Sequence, residues 1–514
     1  MPIRISGLGS GLDVESIVKQ MMQAKRIPID RMKQKMTHLE WQRDAYRDMN
    51  AEMNSFLKEA QKLTLQSTFL AKKASLTAAD AERVQATPAA DAVSGNFTLQ
   101  VKQVAKNATL TSNAALGLSS NPSQAVATAN ATLRITGELG SQDVSISNGD
   151  NINQIVSKIN EKTSTTGVKA IYDRLSDKLT LTSTQTGSVA KVRIEDVTAT
   201  NLLRDKLKVA VNPTPNDTGL VTGQDAVVNF NNTGDTTVRS NSFTLQNIQF
   251  TILKDPDSLG VADYTVNASV NSDVDKVVDT VKTVFDKYNE LIDKVNSKLQ
   301  EKKYRDFLPL TEAQKAEMKE KDVELWEEKA RSGLLRGDSI LRSGLDKMRH
   351  FLSDNVAGIP AGQYDSLADI GITTKLSDGS NDLAYLEHGK IYVDEEKLRN
   401  ALTNSPDQVA TLFTKDGARG ANGRLTTWND AGVGTRLYEI VNYDIIKGLT
   451  QKTQIVPTKS YLNREIDDYS KRINQAESGL SRYEQELYSR YAKMEEALNK
   501  LNSQSSYLAS FFQK

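Results

Sequence analysis

The sequence predicts an α+β protein of several domains, with helical ends enclosing a strand-rich middle. Three observations carry that prediction. Near the C-terminus Leu462, Ile466, Tyr469, Ile473, Ala476, Leu480, Tyr483, Leu487, Arg490, Met494, Ala497 and Leu501 recur at alternating spacings of four and three, and only Arg490 is neither apolar nor tyrosine. A shorter run of the same kind, Tyr46, Met49, Met53, Phe56, Ala60 and Leu63, stands near the N-terminus. Between them, from about Ala74, the texture changes to Thr, Ser, Asn and Val with alternations of period two.

The first element is "RISGLGSGLDVESIVKQMMQAKRIPIDRM", Arg4 to Met32, in which Gly7, Gly9 and Gly11 precede a helix that Asp13 can cap. Glycines before a helix can cradle a phosphate, but the spacing here is G-x-G-x-G with Leu12 in the third place, and no GK[ST] follows. Val14, Ile17, Val18 and Met21 fall on one helical face with no evident local partner. The segment therefore reads as a mobile arm that orders on contact, and a second helix is expected to start after Pro28.

Half-buried strands follow at Phe97, Leu99 and Val101, at Leu133 and Ile135, at Val168, Ala170 and Tyr172, at Leu179 and Leu181, and at Ile248, Phe250 and Ile252. Gly, Asn and Asp turns separate them. Helix returns at Val274, Val277, Val278, Val281, Phe285, Tyr288, Leu291, Ile292 and Val295, with Ser272 as the expected cap. A polar helical stretch, Thr311 to Lys329, leads to a shorter helix carrying Leu341, Leu345, Met348 and Leu352 on one face. A strand at "GKIYVD" and a helix at "EEKLRNALT" complete the body.

A C-terminal helix from about Ser460 to Ser503 would be roughly 65 Å long, too long for the core of a compact domain. It is expected to form a coiled coil or bundle, on the N-terminal run or on neighbouring chains. Leu508, Phe511 and Phe512 lie beyond it in a tail that wants a partner outside the chain.

Composition bounds the function. At 514 residues about three domains are expected. Hydrophobic residues are 38% and aromatics 6%, so the cores are small. Sixty-five basic residues balance sixty-five acidic ones, which favours neither nucleic acid nor an anionic membrane as partner. No stretch approaches the ~18 apolar residues of a membrane span, and no secretory signal is evident at the start. Cysteine is absent, which suits a chain working outside the cell. His38, His350 and His388 are scattered and show no metal spacing. In "RGDS", Arg336 to Ser339, Asp338 stands where the next helix needs an N-cap. Trp41, Trp326 and Trp428 read as core or interface anchors. Neither an enzyme nor a cofactor is expected.

The quoted opening segment resembles the N-terminus of the bacterial flagellar hook-associated protein 2 family, the filament cap proteins. "LRITGELGSQDVSISNGDNINQIVSKINEKTSTTGVKAIYDRLSDKLTLTS" is similar to the β-rich insert of flagellins and hook proteins. "VFDKYNELIDKVNSKL" and "GKIYVDEEKLRNALTNSPDQVATLF" resemble blocks of the family's C-terminal half. The resemblance implies a flexible arm at 1–40, a helical leg from 41–73 with 430–503, and an α/β body from 74–125 with 206–429. It further implies a β-rich flagellin/hook-type insert at 126–205 and a tail at 504–514.

It also implies a closed ring of several subunits, commonly about five, seated on flagellin at the filament tip. Export without a cleaved signal follows from it, through the flagellar export apparatus, with an export chaperone on the C-terminal helix. The expected filament or subunit contacts are Leu8, Leu12, Ile17, Met21, Leu480, Tyr483, Leu487, Met494, Leu501, Leu508, Phe511 and Phe512. Two other functions fit less well: a tip adhesin binding host glycans or mucin through Asn107 to Asn241, and a hook–filament junction protein.

Overall fold

The computed structural model describes residues 13–209, 216–374, 389–454 and 460–511, with backbone alone for Phe351 and for 509–511. The described chain falls into two compact units, one built from 1–69 and 274–514 and the other from 70–273. The body expected from 74–125 with 206–429 is thus divided at Asp273 and Val274, because the helices after that point pack with the N-terminal helix.

The first helix, α1, runs unbroken from Val14 to Lys62. Asp13 caps it, its side chain accepting from the Ser16 N–H at 2.9 Å. No second helix starts after Pro28: the proline lies inside α1 on its exposed side, where the carbonyl freed by its missing N–H can reach water. Tyr46, Met49, Met53, Phe56, Ala60 and Leu63 are all buried, as their spacing predicts. A single turn, α2 (Gln66–Phe69), stacks Phe69 on Phe413 with ring centres 4.7 Å apart.

The second unit begins with β1 (Lys72–Leu76), the turn α3 (Ala78–Ala81), β2 (Val84–Pro88), β3 (Gly95–Gln103) and β4 (Asn107–Thr111). After them come β5 (Ala131–Gly137), β6 (Gly140–Ile146), α4 (Ile152–Asn160), α5 (Thr163–Thr166), β7 (Val168–Asp173), β8 (Lys178–Thr186) and β9 (Lys191–Asp196). The unit closes with β10 (Val221–Thr222), β11 (Ala226–Phe230), β12 (Asp235–Val238), β13 (Ser242–Leu245), β14 (Ile248–Ile252) and β15 (Tyr264–Ser272). Ser272 ends this last strand, so it is not the cap of the helix that follows.

Two cores organise these strands. In the first, the sheet β1-β15-β3-β11-β12 and the sheet β13-β14-β2 bury Phe97, Leu99, Val101, Phe230, Ile248 and Phe250 together. Phe230 bridges them, 5.6 Å from Phe97 and edge-on to Phe250 at 5.8 Å. In the second, the sheets β10-β9-β5-β6 and β4-β8-β7 enclose α4, whose Ile152, Ile155 and Ile159 are fully buried. Leu110, Leu116, Leu118, Leu207 and Val209 belong to this second core. The insert is therefore wider than 126–205, because apolar residues flanking that span on both sides bury with it.

Asparagine amides extend the ladders at three places. Asn160 exchanges two bonds with the Ala170 backbone at 2.9 and 2.8 Å. Asn241 does the same with Ala105 at 2.7 and 2.9 Å. In the first unit, Asn289 holds Ile391 at 2.7 and 2.8 Å. Each amide donates to a carbonyl and accepts from an N–H, as a neighbouring peptide would.

The first unit resumes with α6 (Val274–Gln300), α7 (Glu312–Glu317), α8 (Glu320–Arg331) and α9 (Ser339–Ser353). Asp338 caps α9 as its position predicts, accepting from the Ile340 and Leu341 N–H groups at 3.0 Å. "GKIYVD" supplies only a two-residue strand, β17 (Tyr392–Val393), paired with β16 (Ile372–Thr373). Then follow α10 (Glu395–Asn404), α11 (Pro406–Thr414), α12 (Val433–Glu439), a wide π turn at Ile440–Ile446, α13 (Lys447–Thr453) and α14 (Tyr461–Phe511).

Close backbone approach explains two glycines in this bundle. A Cβ on Gly434 would stand 2.3 Å from the Leu63 carbonyl oxygen, and one on Gly344 would stand 2.4 Å from Ile445. Arg436, fully buried, donates to the carbonyls of Ala431, Asp354, Asn355 and Asn429 at 2.7–3.0 Å. Four peptide carbonyls thus satisfy its guanidinium inside the bundle.

Candidate functional site

The feature of the first unit that a compact core does not need is a pair of long helices, α1 with 49 residues and α14 with 51. Near the start of α1 they lie antiparallel. Val14, Val18 and Met22 bury with Leu487, and Leu480, Tyr483, Tyr488 and Tyr491 pack around them. The stripe at the start of α1 thus has a partner within the chain. Lys25 lies over the Tyr483 ring at 5.5 Å, and Lys33 pairs with Glu477 at 2.6 Å. A groove of about 770 Å³ opens along the pair, with Met22, Ile29, Leu310, Ile473 and Leu480 on its walls.

Further along, α1 is fastened to the helical body. Gln34 donates to the Pro309 carbonyl at 2.8 Å, and Gln42 donates to that of Leu334 at 3.3 Å. One further fastening is a polar cluster. The Tyr46 hydroxyl donates to Asp338 Oδ2 at 2.7 Å, and Lys452 Nζ donates to both, at 2.9 Å each. Burial would push the Asp338 carboxyl up, but the Leu341 N–H, Lys452 and Tyr46 overcome it and hold the group below the usual carboxylate range. Burial likewise acts first on Tyr46 and raises its hydroxyl. Burial alone would lower Lys452, yet its bonds to Tyr46 and Asp338 leave it raised, so it stays charged.

The expected contact residues separate into groups. Leu487 is 4% exposed and central to the seam, with Leu480 and Tyr483 beside it. Ile17 and Met494 are half-buried, whereas Met21 lies on the flank, 38% exposed, with its sulfur 4.0 Å from the Tyr491 hydroxyl. Leu501 and Leu508 are exposed on α14. Leu8, Leu12 and Phe512 lie outside the described residues, as does the Phe511 side chain.

The strict four-three pattern fails after Leu487. Arg490, Ala497 and Leu501 face solvent, while Tyr488, Tyr491, Met494, Glu495 and Leu498 are half-buried. Two successive steps of four, from Tyr483 to Leu487 and on to Tyr491, move the seam by one residue. A straight helix drifts in this sense relative to a seven-residue repeat, and the charge on Arg490 marks where the step occurs. Val14, Val18 and Met22 also belong to the contact surface, and their four-residue spacing was the available signal.

Among the described residues no group of three His, Cys, Asp or Glu could hold a metal ion, and no helix is long and apolar enough to cross a membrane. His38 is held below its usual pKa, by burial first and then by Lys303. Trp41 lies under the Arg331 guanidinium at 4.3 Å, and Trp326 packs on Phe307 while donating to the Leu308 carbonyl at 2.9 Å. Both anchor the α7–α8 excursion.

Comparison with known proteins places this architecture. The family described as flagellar hook-associated protein 2 matches with its N-terminus over residues 10–108 and its C-terminus over residues 223–503. Between them the flagellin hook IN motif matches residues 132–185. Flagellar hook-associated protein 2 of Halalkalibacterium halodurans is 30% identical, over 99% of this chain and 100% of that protein. Its counterpart in Thermotoga maritima is 26% identical, over 73% of this chain and 54% of that one. The crystal structure of the D1-D2-D3 domains of the flagellar cap protein FliD from Escherichia coli superposes with a TM-score of 0.50. It covers 83% of this chain and 99% of that one at 22% identity, a likeness of fold.

Proposed function

Because the chain belongs to the flagellar hook-associated protein 2 family, we propose that it is a structural cap at the distal tip of a bacterial flagellar filament, outside the cell. The match to the family's C-terminal half over 223–503 carries this reading, since a hook–filament junction protein should lack it. In this reading exported flagellin folds beneath the cap and is inserted there, and the cap keeps it from leaking into the medium. The chain performs this without catalysing a reaction.

The subunits close into a ring, commonly of about five, as symmetry favours. The α1–α14 hairpin is the leg that stands on the filament, the strand-rich 70–273 unit forms the plate, and the flagellin-type insert lies within that unit. Several modest leg contacts hold the ring durably while any one leg can release and rebind. The near-neutral, mixed charge of the hairpin flanks suits this, because no single-sign field locks a leg in place. The exposed end of α14, with Leu501 and Leu508, is the surface for an export chaperone before secretion and for flagellin afterwards.

The test is complementation of a strain lacking its own cap protein. Expression of this chain should lengthen filaments, restore swimming and remove unpolymerised flagellin from the medium. A complemented strain that sheds as much flagellin as the deletion would overturn the reading.

A further inference from the structure

A sheet edge left open invites another strand, and proteins usually guard such edges. Within the strand-rich unit two edges are guarded by identifiable residues. The alternation of ladder bonds turns Val168 and Ala170 of β7 away from β8. Side chains take all four of their backbone groups. Thr166 Oγ1 accepts from the Val168 N–H at 3.2 Å, and Thr163 Oγ1 donates to the Val168 carbonyl at 2.9 Å. The Asn160 amide takes both groups of Ala170. On β2 one outward position is Pro88, which has no N–H to offer. Two further strands, β10 and β13, are only two and four residues long.

The strand β6 has none of these devices. It is seven residues long and pairs on one side only, with β5. Thr132 of β5 faces β9, where its carbonyl accepts from the Val197 N–H at 2.9 Å. Its neighbours Leu133 and Ile135 therefore face β6 and bond Val144 and Gln142. Ser141, Asp143 and Ser145 are left pointing their N–H and C=O groups outward, and no described residue bonds them. All three side chains are exposed, as is Gln142. Asp143 is tied sideways to Arg134 of β5 at 2.8 and 3.1 Å, which keeps its carboxylate off the edge.

Two features identify the occupant. The side chains beside the edge are polar and offer no apolar recess, so the edge reads main chain and not sequence. A second copy pairing antiparallel through the same three residues would set Asp143 opposite Asp143, and like charges placed so repel. We propose that the β6 edge receives an extended stretch of another, unfolded polypeptide as an added strand of the sheet β10-β9-β5-β6. Main-chain bonds without side-chain pockets hold weakly, which suits a chain that must move on and fold. Under the cap reading, on which only the partner's identity rests, that chain is exported flagellin before it folds.

Pulsed hydrogen exchange on the full chain tests this. The Ser141, Asp143 and Ser145 amides should exchange fast alone and at least about tenfold more slowly when acid-unfolded flagellin is mixed in at neutral pH. Reduced, carboxymethylated α-lactalbumin serves as an unrelated unfolded probe, and folded flagellin should protect nothing. Asp143→Pro removes an outward N–H and leaves the ladder to β5 intact, so protection of the remaining amides should fall at least about fivefold. Ser145→Pro should act alike, whereas Asp143→Asn keeps the N–H and should keep the protection. An unchanged melting transition of the strand-rich unit shows that each variant is folded. Protection by both unfolded probes supports the docking edge and its partner. Protection by α-lactalbumin alone keeps the edge and removes flagellin, and with it the cap reading's share. Protection by neither, or protection that rises with the concentration of this chain alone, would overturn the proposal.

Discussion

Replacing Asp338 tests what holds the root of the hairpin. Its carboxylate does three things: it caps α9, accepts the Tyr46 hydroxyl and pairs with Lys452. Only 5% of its side chain is exposed, while Lys452 keeps 34% in water. Losing an N-cap costs about 0.5–2 kcal/mol. Losing hydrogen bonds to a buried charge adds roughly 1.5–3 kcal/mol. The water around Lys452 screens part of the charge contribution, so Asp338→Ala should destabilise the first unit by about 3–4 kcal/mol in all.

Asparagine caps as well as aspartate but carries no charge, so Asp338→Asn should cost about half as much. The three tryptophans, Trp41, Trp326 and Trp428, all lie in the first unit, so their fluorescence in a urea titration reports that unit alone. The pH dependence supplies a second reading. The folded carboxyl lies below its ordinary value, so the stability it contributes is present above that value and fades as pH falls through the folded one. The gap between wild type and Asp338→Asn should therefore close below about pH 4. Equal urea midpoints for wild type, Asn and Ala at neutral pH would refute this account of the root.

Three further outcomes are expected. Leu487→Asp removes about 1.5–3 kcal/mol of burial and places a carboxylate among Val14, Val18 and Met22, so far-ultraviolet ellipticity should fall while the strand-rich unit melts as before. Leu65→Asp, at a position 47% exposed, should be much milder, and equal effects would contradict the seam. Gly434→Ala should lower the first unit's stability by about 1–3 kcal/mol through its clash with the Leu63 carbonyl, and a neutral result in the same urea titration would show that the helices can part there. Asn289→Asp sets an oxygen against the Ile391 carbonyl, so it should cost about 1–3 kcal/mol and raise hydrogen exchange at β17, whereas unchanged exchange would deny the amide its part.

What the sequence made legible was local and periodic. The stripe from Tyr46 to Leu63 is buried at every position, and the alternations at Phe97–Val101 and Leu179–Leu181 are strands with those residues inside. Caps were legible too, because Asp13 and Asp338 act on N–H groups two or three residues ahead. Long-range pairing was not. Tyr46 and Lys452 are 406 positions apart, and no pattern along the chain marks them as partners. Pro28 argued for a break because the penalty for a proline inside a helix assumes that the freed carbonyl is buried, and here that face is open to water. The seam after Leu487 was misplaced by one residue because a strict repeat was projected onto a helix that does not keep it.

The strand-rich unit enters and leaves by adjacent strands. Lys72 of β1 lies opposite Ser272 of β15, and the Asp273 N–H closes onto the Ala71 carbonyl at 2.7 Å. The unit is thus nested inside the other, complete once residue 273 is available, while α1 must wait for partners that begin only at Val274. For a chain delivered with its N-terminus first, this sets an order. The inner unit can settle early, but the Val14–Met22 face of α1 stays open until α14 has emerged. A copy truncated before α14 would then present that face uncovered, which makes the arrival of α14 the step that closes the hairpin.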